Sequence, residues 1–184
     1  MKEKTIVICN QKGGVGKTFL ADELAFYCER NDVPYSLVDL DRQGGAIHPE
    51  TTNKKARYTL VDTPGAKDDV LEELLKGSDM IIIPTRMTER DFPPLRTMLS
   101  LSRELAPKTP VLVVCNGWTR YTSSTIFETV FTAEFPGVPI SRISQSEVVG
   151  QAAITGQSVV KYKPRSTVAK QVEEFCQRVF TTLN

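Results

Sequence analysis

The chain has 184 residues, enough for one domain and short for two, and a chain of that size buries roughly 70% of its unfolded surface. Its 23 Lys and Arg nearly balance its 22 Asp and Glu, leaving a formal net charge of +1, with 40% hydrophobic and 24% charged residues. That balance is ordinary for a soluble globular chain and excludes a strongly basic nucleic-acid coat or an acidic disordered tail as a description of the whole.

From the N-terminus, Met1-Lys-Glu-Lys-Thr enters a short β-type run with no signal-like apolar stretch. The longest apolar runs, such as Met80–Ile83 and Val111–Cys115, are too short to cross a bilayer, so the expectation is a cytoplasmic chain. Strand-length apolar runs recur at Thr5–Cys9, Tyr35–Val38, Thr59–Val61, Met80–Ile83 and Val111–Cys115, nearly continuous rather than alternating, as suits strands covered on both faces. Between them Thr18–Arg30, Asp68–Lys76 and Pro93–Leu105 have helical spacing. Further on, Thr122–Glu134 predicts a helix, Val138–Ile140 a short strand, Ser146–Thr155 a helix stopped by Gly156, and Ser166–Leu183 the last helix. Strands alternating with helices imply a parallel sheet wrapped by helices, and no linker or repeat divides the chain, so one α/β domain over residues 1–184 is expected. The four scattered cysteines (Cys9, Cys28, Cys115, Cys176) have no metal-type spacing and read as buried thiols. The single histidine, His48, beside Pro49 in a polar stretch, reads as a surface residue.

The informative string is Asn10-Gln11-Lys12-Gly13-Gly14-Val15-Gly16-Lys17-Thr18, between an apolar strand and a helix. Three glycines let the backbone curl so that successive amides point inward at phosphate oxygens. The helix start adds unpaired N–H groups and a dipole. Lys17 supplies a cation for the β- and γ-phosphates, and the Thr18 hydroxyl can ligate Mg²⁺. Gln11 stands where the general pattern begins with glycine. Two acidic sites end apolar strands, Val38-Asp39-Leu40-Asp41 and Val61-Asp62-Thr63-Pro64-Gly65. Ligands bind at the carboxyl ends of strands in such sheets, so Asp39, Asp41 and Asp62 should gather beside the phosphates, Asp62 holding Mg²⁺ through its water shell.

Lys12-Gly-Gly-Val-Gly-Lys-Thr18 resembles the deviant Walker A motif of the ParA/MinD ATPases. Val38-Asp39-Leu40-Asp41-Arg42-Gln43-Gly44 is similar to the second motif of that family, and Val61-Asp62-Thr63-Pro64-Gly65 to its Walker B. The likeness continues through Ile83-Pro84 and Val114-Cys115-Asn116. The resemblance implies a three-layer α/β/α P-loop NTPase with a mostly parallel central sheet. It implies ATP and Mg²⁺ as cofactors, a nucleotide held by the run from Lys12 through Gly13, Gly14, Val15, Gly16, Lys17 and Thr18 to Phe19, and a metal held near Thr18, Asp39 and Asp62. It assigns Lys12 as the lysine that reaches a second subunit's nucleotide, Asp41 as the group that positions the attacking water, and Asn116 as an adenine contact. Asn116-Gly117 also reads as a plain turn.

By the same resemblance, ATP joins two subunits into a homodimer, hydrolysis separates them, and turnover is slow. Only four residues precede the first strand, which suggests the small ParA type. ParA-type relatives bind DNA nonspecifically and answer to a ParB-like or other small centromere-binding protein, whereas MinD-type relatives bind membrane. Lys161, Lys163 and Arg165, with Lys170, form the densest basic run of the second half and are the candidate DNA contacts, although a solvated loop has the same composition. The last helix has the apolar spacing of a core helix rather than a membrane anchor. The expected function is a partition ATPase, cytoplasmic and nucleoid-associated, that segregates or positions DNA. The alternatives are a MinD-like or other cargo-positioning ATPase, and a metabolic enzyme on the same fold such as a ligase or an iron–sulfur reductase.

Overall fold

Six short apolar segments form one parallel sheet in the computed structural model, which describes residues 2–41, 45–65 and 69–184. The strands are β1 (Lys4–Ile8), β2 (Tyr35–Asp39), β3 (Tyr58–Asp62), β4 (Met80–Thr85), β5 (Val111–Trp118) and β6 (Ile140–Ser144), arranged β2-β3-β1-β4-β5-β6 with every pairing parallel. The helices are α1 (Lys17–Arg30), α2 (Asp69–Lys76), α3 (Phe92–Leu105), α4 (Thr122–Glu134), α5 (Glu147–Ile154), α6 (Val159–Tyr162) and α7 (Thr167–Leu183), with a 3-10 turn at Glu89–Asp91.

Successive side chains of a strand point to opposite faces, and here both faces are covered. Ile6, Ile8, Met80, Ile82, Leu112 and Val114 pack into one core with α1, α5, α6 and α7. Val7, Cys9, Ile81, Ile83, Val113 and Cys115 pack into the other with α2, α3 and α4. The result is a three-layer α/β/α sandwich. α7 buries Val168, Val172, Phe175, Val179 and Leu183 along one stripe, and each such side chain contributes about 1.5–3 kcal/mol by leaving water. All four cysteines are buried thiols, and burial pushes Cys9, Cys28 and Cys115 up to about 12.

Strand order reverses direction at β1: α1 leads away to β2, on one side, while β4, β5 and β6 build outward on the other. The carboxyl ends of β1 and β3 therefore open at the crevice where such folds bind ligands. The expected strand at Val138–Ile140 lies instead at Ile140–Ser144. As an edge strand it is mostly polar, Ile-Ser-Arg-Ile-Ser, and it pairs with β5 across a bulge between Asn116 and Trp118, so a search for continuous apolar runs passes over it. Part of the expected basic loop is helical: α6 begins at Val159, its first turn held by the Ser158 hydroxyl, which accepts from the Lys161 N–H.

Candidate nucleotide site

The loop between β1 and α1 curls because Gly14 and Gly16 take left-handed backbone angles, φ +72° and +98°. A Cβ on Gly16 would lie 2.1 Å from the Asn116 amide nitrogen. Asn116, 8% exposed at the end of β5, donates that amide to the Val15 carbonyl at 2.8 Å. At the loop's start the buried Asn10 donates to the Pro84 carbonyl (2.7 Å) and accepts from the Lys12 N–H (3.0 Å). Thr63 closes the third side, its N–H and hydroxyl both donating to the Ile8 carbonyl, and a Cβ on Gly65 would lie 3.5 Å from the Gln11 carbonyl oxygen and from the Gly13 nitrogen. Three neighbouring segments thus fix one turn of chain.

α1 opens from this loop without a side-chain cap and with no acid in its first turn, whereas serines cap α5, α6 and α7. Its first N–H groups and the positive end of its dipole face the loop, as anion binding requires. Lys17, only 5% exposed, stands at that helix start and makes no ion pair among the described residues.

The register of the sheet brings the acids together. Asp39 and Asp62 are paired positions on β2 and β3, and Ile8 pairs with Asp62 on the other side. The Asp41 N–H donates to Asp39 Oδ1 at 2.9 Å. Asp62 is 1% exposed, and among the described residues no donor meets either of its oxygens in good hydrogen-bond geometry, with the Thr18 hydroxyl lying close by. Burial drives its pKa up to about 6; the charges of Asp39 and Asp41 add to the rise, and the nearby Thr18 hydroxyl and Lys17 ammonium oppose it. A buried carboxylate without donors is costly unless a cation sits on it. Among the described residues no three His, Cys, Asp or Glu side chains converge as a metal cage. The donor set of Asp62 and the Thr18 hydroxyl fits Mg²⁺, which binds proteins through one or two oxygen ligands and takes the rest from phosphate and water.

Lys12 takes a different position from the others. Its Nζ forms an ion pair with Asp91, a carboxylate 1% exposed in the 3-10 turn before α3. Asp91 and Asp22 are site-region acids that the sequence reading missed. Asp91 ends a Thr-x-x-Asp capping box (Thr88 to Asp91), a signal visible in the sequence. Asp22 accepts from the Ile47 N–H (2.9 Å), the His48 N–H (3.0 Å) and the His48 ring (2.8 Å). His48 is therefore not the surface residue expected: its ring packs edge-on against Phe26 and clamps the segment after Asp41 onto α1. Burial alone would lower its pKa, but the Asp22 hydrogen bond and charge, joined by Glu29, raise it.

Lys161, Lys163, Arg165 and Lys170 are exposed on α6, on the turn after it and on α7, and none forms an ion pair among the described residues. Trp118 lies under the Arg142 guanidinium, 5.4 Å from its ring centroid, while Tyr121 is 73% exposed. Arg42, Gln43 and Gly44, the end of the second motif, lie outside the described residues.

Known proteins share this fold. Residues 6–183 match the CobQ/CobB/MinD/ParA nucleotide binding domain. A 45-residue stretch is 53% identical to the chromosome-partitioning ATPase Soj of Thermus thermophilus, covering 24% of this chain and 18% of that protein. The fold is that of a McdA–ATP complex from Cyanothece (TM-score 0.80, 15% identity, 96% of each chain covered). It is also that of the septum site-determining protein MinD with Mg-ADP from Pyrococcus horikoshii (TM-score 0.76, 15% identity, 97% of this chain and 96% of that one). A ParA family ATPase from Chlorobium tepidum superposes with a TM-score of 0.75 at 18% identity, over 96% of this chain and 99% of that one. With the match running almost end to end, this chain belongs to the CobQ/CobB/MinD/ParA nucleotide-binding domain family.

Proposed function

We propose that the chain is an ATP-driven switch: it dimerises with ATP bound, binds DNA nonspecifically in that state, and segregates or positions DNA until a small centromere-binding protein stimulates hydrolysis. The observation that carries the nucleotide chemistry is Asp62, a buried carboxylate that no donor among the described residues meets in good hydrogen-bond geometry, at the foot of an uncapped, glycine-lined helix start that holds Lys17.

The roles follow from charge and position. Amides from Gly13 to Phe19 surround the phosphates, and Lys17 neutralises the β- and γ-oxygens. Mg²⁺, held by the Thr18 hydroxyl and by Asp62 with Asp39 close by, would balance charge on the phosphate oxygens when bound. Asp41 orients water for in-line attack on the γ-phosphorus; the bond to the β-phosphate oxygen breaks, leaving ADP and phosphate. Lys12, acting on the second subunit's nucleotide, stabilises the charge that spreads over the transferred group. Asn116 holds the loop from behind and borders the nucleotide on the base side. A switch of this kind turns over more slowly than about 1 per second, against about 10 for a typical enzyme.

Exposed, unpaired Lys161, Lys163, Arg165 and Lys170, doubled in a dimer, support weak and salt-sensitive phosphate contacts. The apolar stripe of α7, already buried against the sheet, supports DNA over membrane as the matrix, and a cytoplasmic, nucleoid-associated location. The test is a gel shift with nonspecific DNA beside pelleting with anionic vesicles, each with ATP and with ADP. A DNA shift in ATP alone is expected; vesicle pelleting without a DNA shift overturns the DNA reading in favour of membrane positioning.

A further inference from the structure

The Lys12–Asp91 pair joins two segments 79 residues apart. Asp91 Oδ2 accepts from the Thr88 N–H (2.9 Å) and the Thr88 hydroxyl, and its Oδ1 accepts from Lys12. The Lys12 backbone is fixed in turn by Asn10, which accepts its N–H. Lys12 is the one cation paired with Asp91 among the described residues, and Asp91 is buried to 1% exposure. The lysine stays about one-third exposed, so its side chain runs along the surface from the phosphate loop to the start of α3.

We infer that Asp91 is a latch on Lys12: it holds the ammonium against its own subunit and away from any phosphate until a second nucleotide-loaded subunit competes for it. The physical reason is asymmetric. Lys12 loses little by moving from one anion to another, but Asp91 left behind is a buried carboxylate without its cation, which is strongly unfavourable. A triphosphate carries more charge than a carboxylate and can draw the lysine across; a diphosphate or an empty site offers less. The exchange therefore sets a threshold against dimers that lack ATP. Thr88 and Asp91 also form the turn that opens onto Phe92, Pro93 and Pro94, so release of Lys12 is felt at the start of α3. The consequence for dimerisation rests on the switch reading above; the contact itself does not.

The test uses Asp91→Asn, whose side-chain oxygen still accepts from Thr88 but no longer holds a cation. In the nucleotide-free chain, acetylation of Lys12, read by peptide mass spectrometry against the other lysines, should rise at least threefold or so relative to wild type. With a non-hydrolysable ATP analogue, sedimentation should show dimers about fivefold tighter or more, a gain that vanishes when Lys12→Ala is added. Unchanged Lys12 acetylation overturns the pairing. Higher acetylation with an unchanged or weaker dimer overturns the latch while the switch reading stands, provided wild type dimerises. If both chains bind the analogue and both stay monomeric, the switch reading fails and the latch with it. Should Asp91→Asn not fold, Asp91→Ser, which is neutral and keeps a short acceptor beside Thr88, gives the same comparison with the same expected direction.

Discussion

Asn116 reaches across 101 residues of sequence to donate its amide to the Val15 carbonyl at 2.8 Å, and the space it fills is the space a side chain on residue 16 would need. The phosphate loop is thus shaped from outside, by β5, as well as by its own glycines. Gly16→Ala meets both obstacles, a left-handed φ of +98° and a Cβ 2.1 Å from that amide. The left-handed backbone alone costs about 1–2 kcal/mol. Nucleotide affinity should fall more than about tenfold, with a lower Tm, in titrations with a fluorescent ATP analogue. Asn116→Ala leaves the glycine unhindered but the Val15 carbonyl unpaired; its loss of affinity should be smaller, and adding it to Gly16→Ala should recover part of the deficit.

Lys17 and Asp41 separate binding from chemistry. Lys17→Ala removes the cation at the helix start and should abolish measurable nucleotide binding by calorimetry. Asp41→Ala should bind ATP nearly as wild type, cut hydrolysis at least about a hundredfold, and accumulate as a dimer on a sizing column with ATP. Normal turnover by this variant would remove Asp41 from the water-positioning role.

Asp62 ties metal binding to pH. Its folded pKa, raised to about 6 chiefly by burial, means that ionisation weakens the empty protein as pH climbs from the ordinary carboxylate range to 6. A cation reverses the preference. Binding of Mg²⁺ with nucleotide should therefore release protons at pH 6, detectable as a dependence of calorimetric heat on buffer ionisation enthalpy, and affinity should weaken as pH falls below 6. Asp62→Asn should show neither effect, and its Mg²⁺-dependent gain in affinity should be lost.

Glu23 offers a stability counterpart away from the phosphates. It is 3% exposed; Oε1 accepts from the Val159 N–H at 2.7 Å while Oε2 has no hydrogen-bond partner among the described residues, and burial pushes the pKa to about 7. A raised pKa in an acid means that the native state prefers the proton, so stability falls as pH rises from about 4.5 to 7 and stays low above it. Glu23→Gln keeps the acceptor for Val159 and carries no charge. Its Tm should match wild type near pH 5 and exceed it at pH 8, by a gain of order 2 kcal/mol. Equal melting curves at pH 8 would contradict the assignment.

How much could be read without coordinates depended on how local the cause was. The central strands and most helices were legible because a buried parallel strand is apolar along its whole length and a covering helix repeats at 3.6 residues. The phosphate loop was legible because glycines, lysine and threonine act where they stand in the chain. β6 was misplaced because an edge strand carries a weaker pattern, and His48 was misread because its partner, Asp22, sits 26 residues earlier, in α1. That Lys12 rests on Asp91 was beyond sequence, since charge pairs at long separation leave no periodic mark.

The sequence by itself determined the family, the parallel α/β layering and the glycine-rich turn between β1 and α1, for these follow from residue type and short-range spacing. Tertiary structure alone decided which groups face one another: Asp62 buried beside Asp39, Asn116 behind Val15, and Lys12 on Asp91. Burial and strand register set those meetings, and both are properties of the folded sheet rather than of any stretch of the chain.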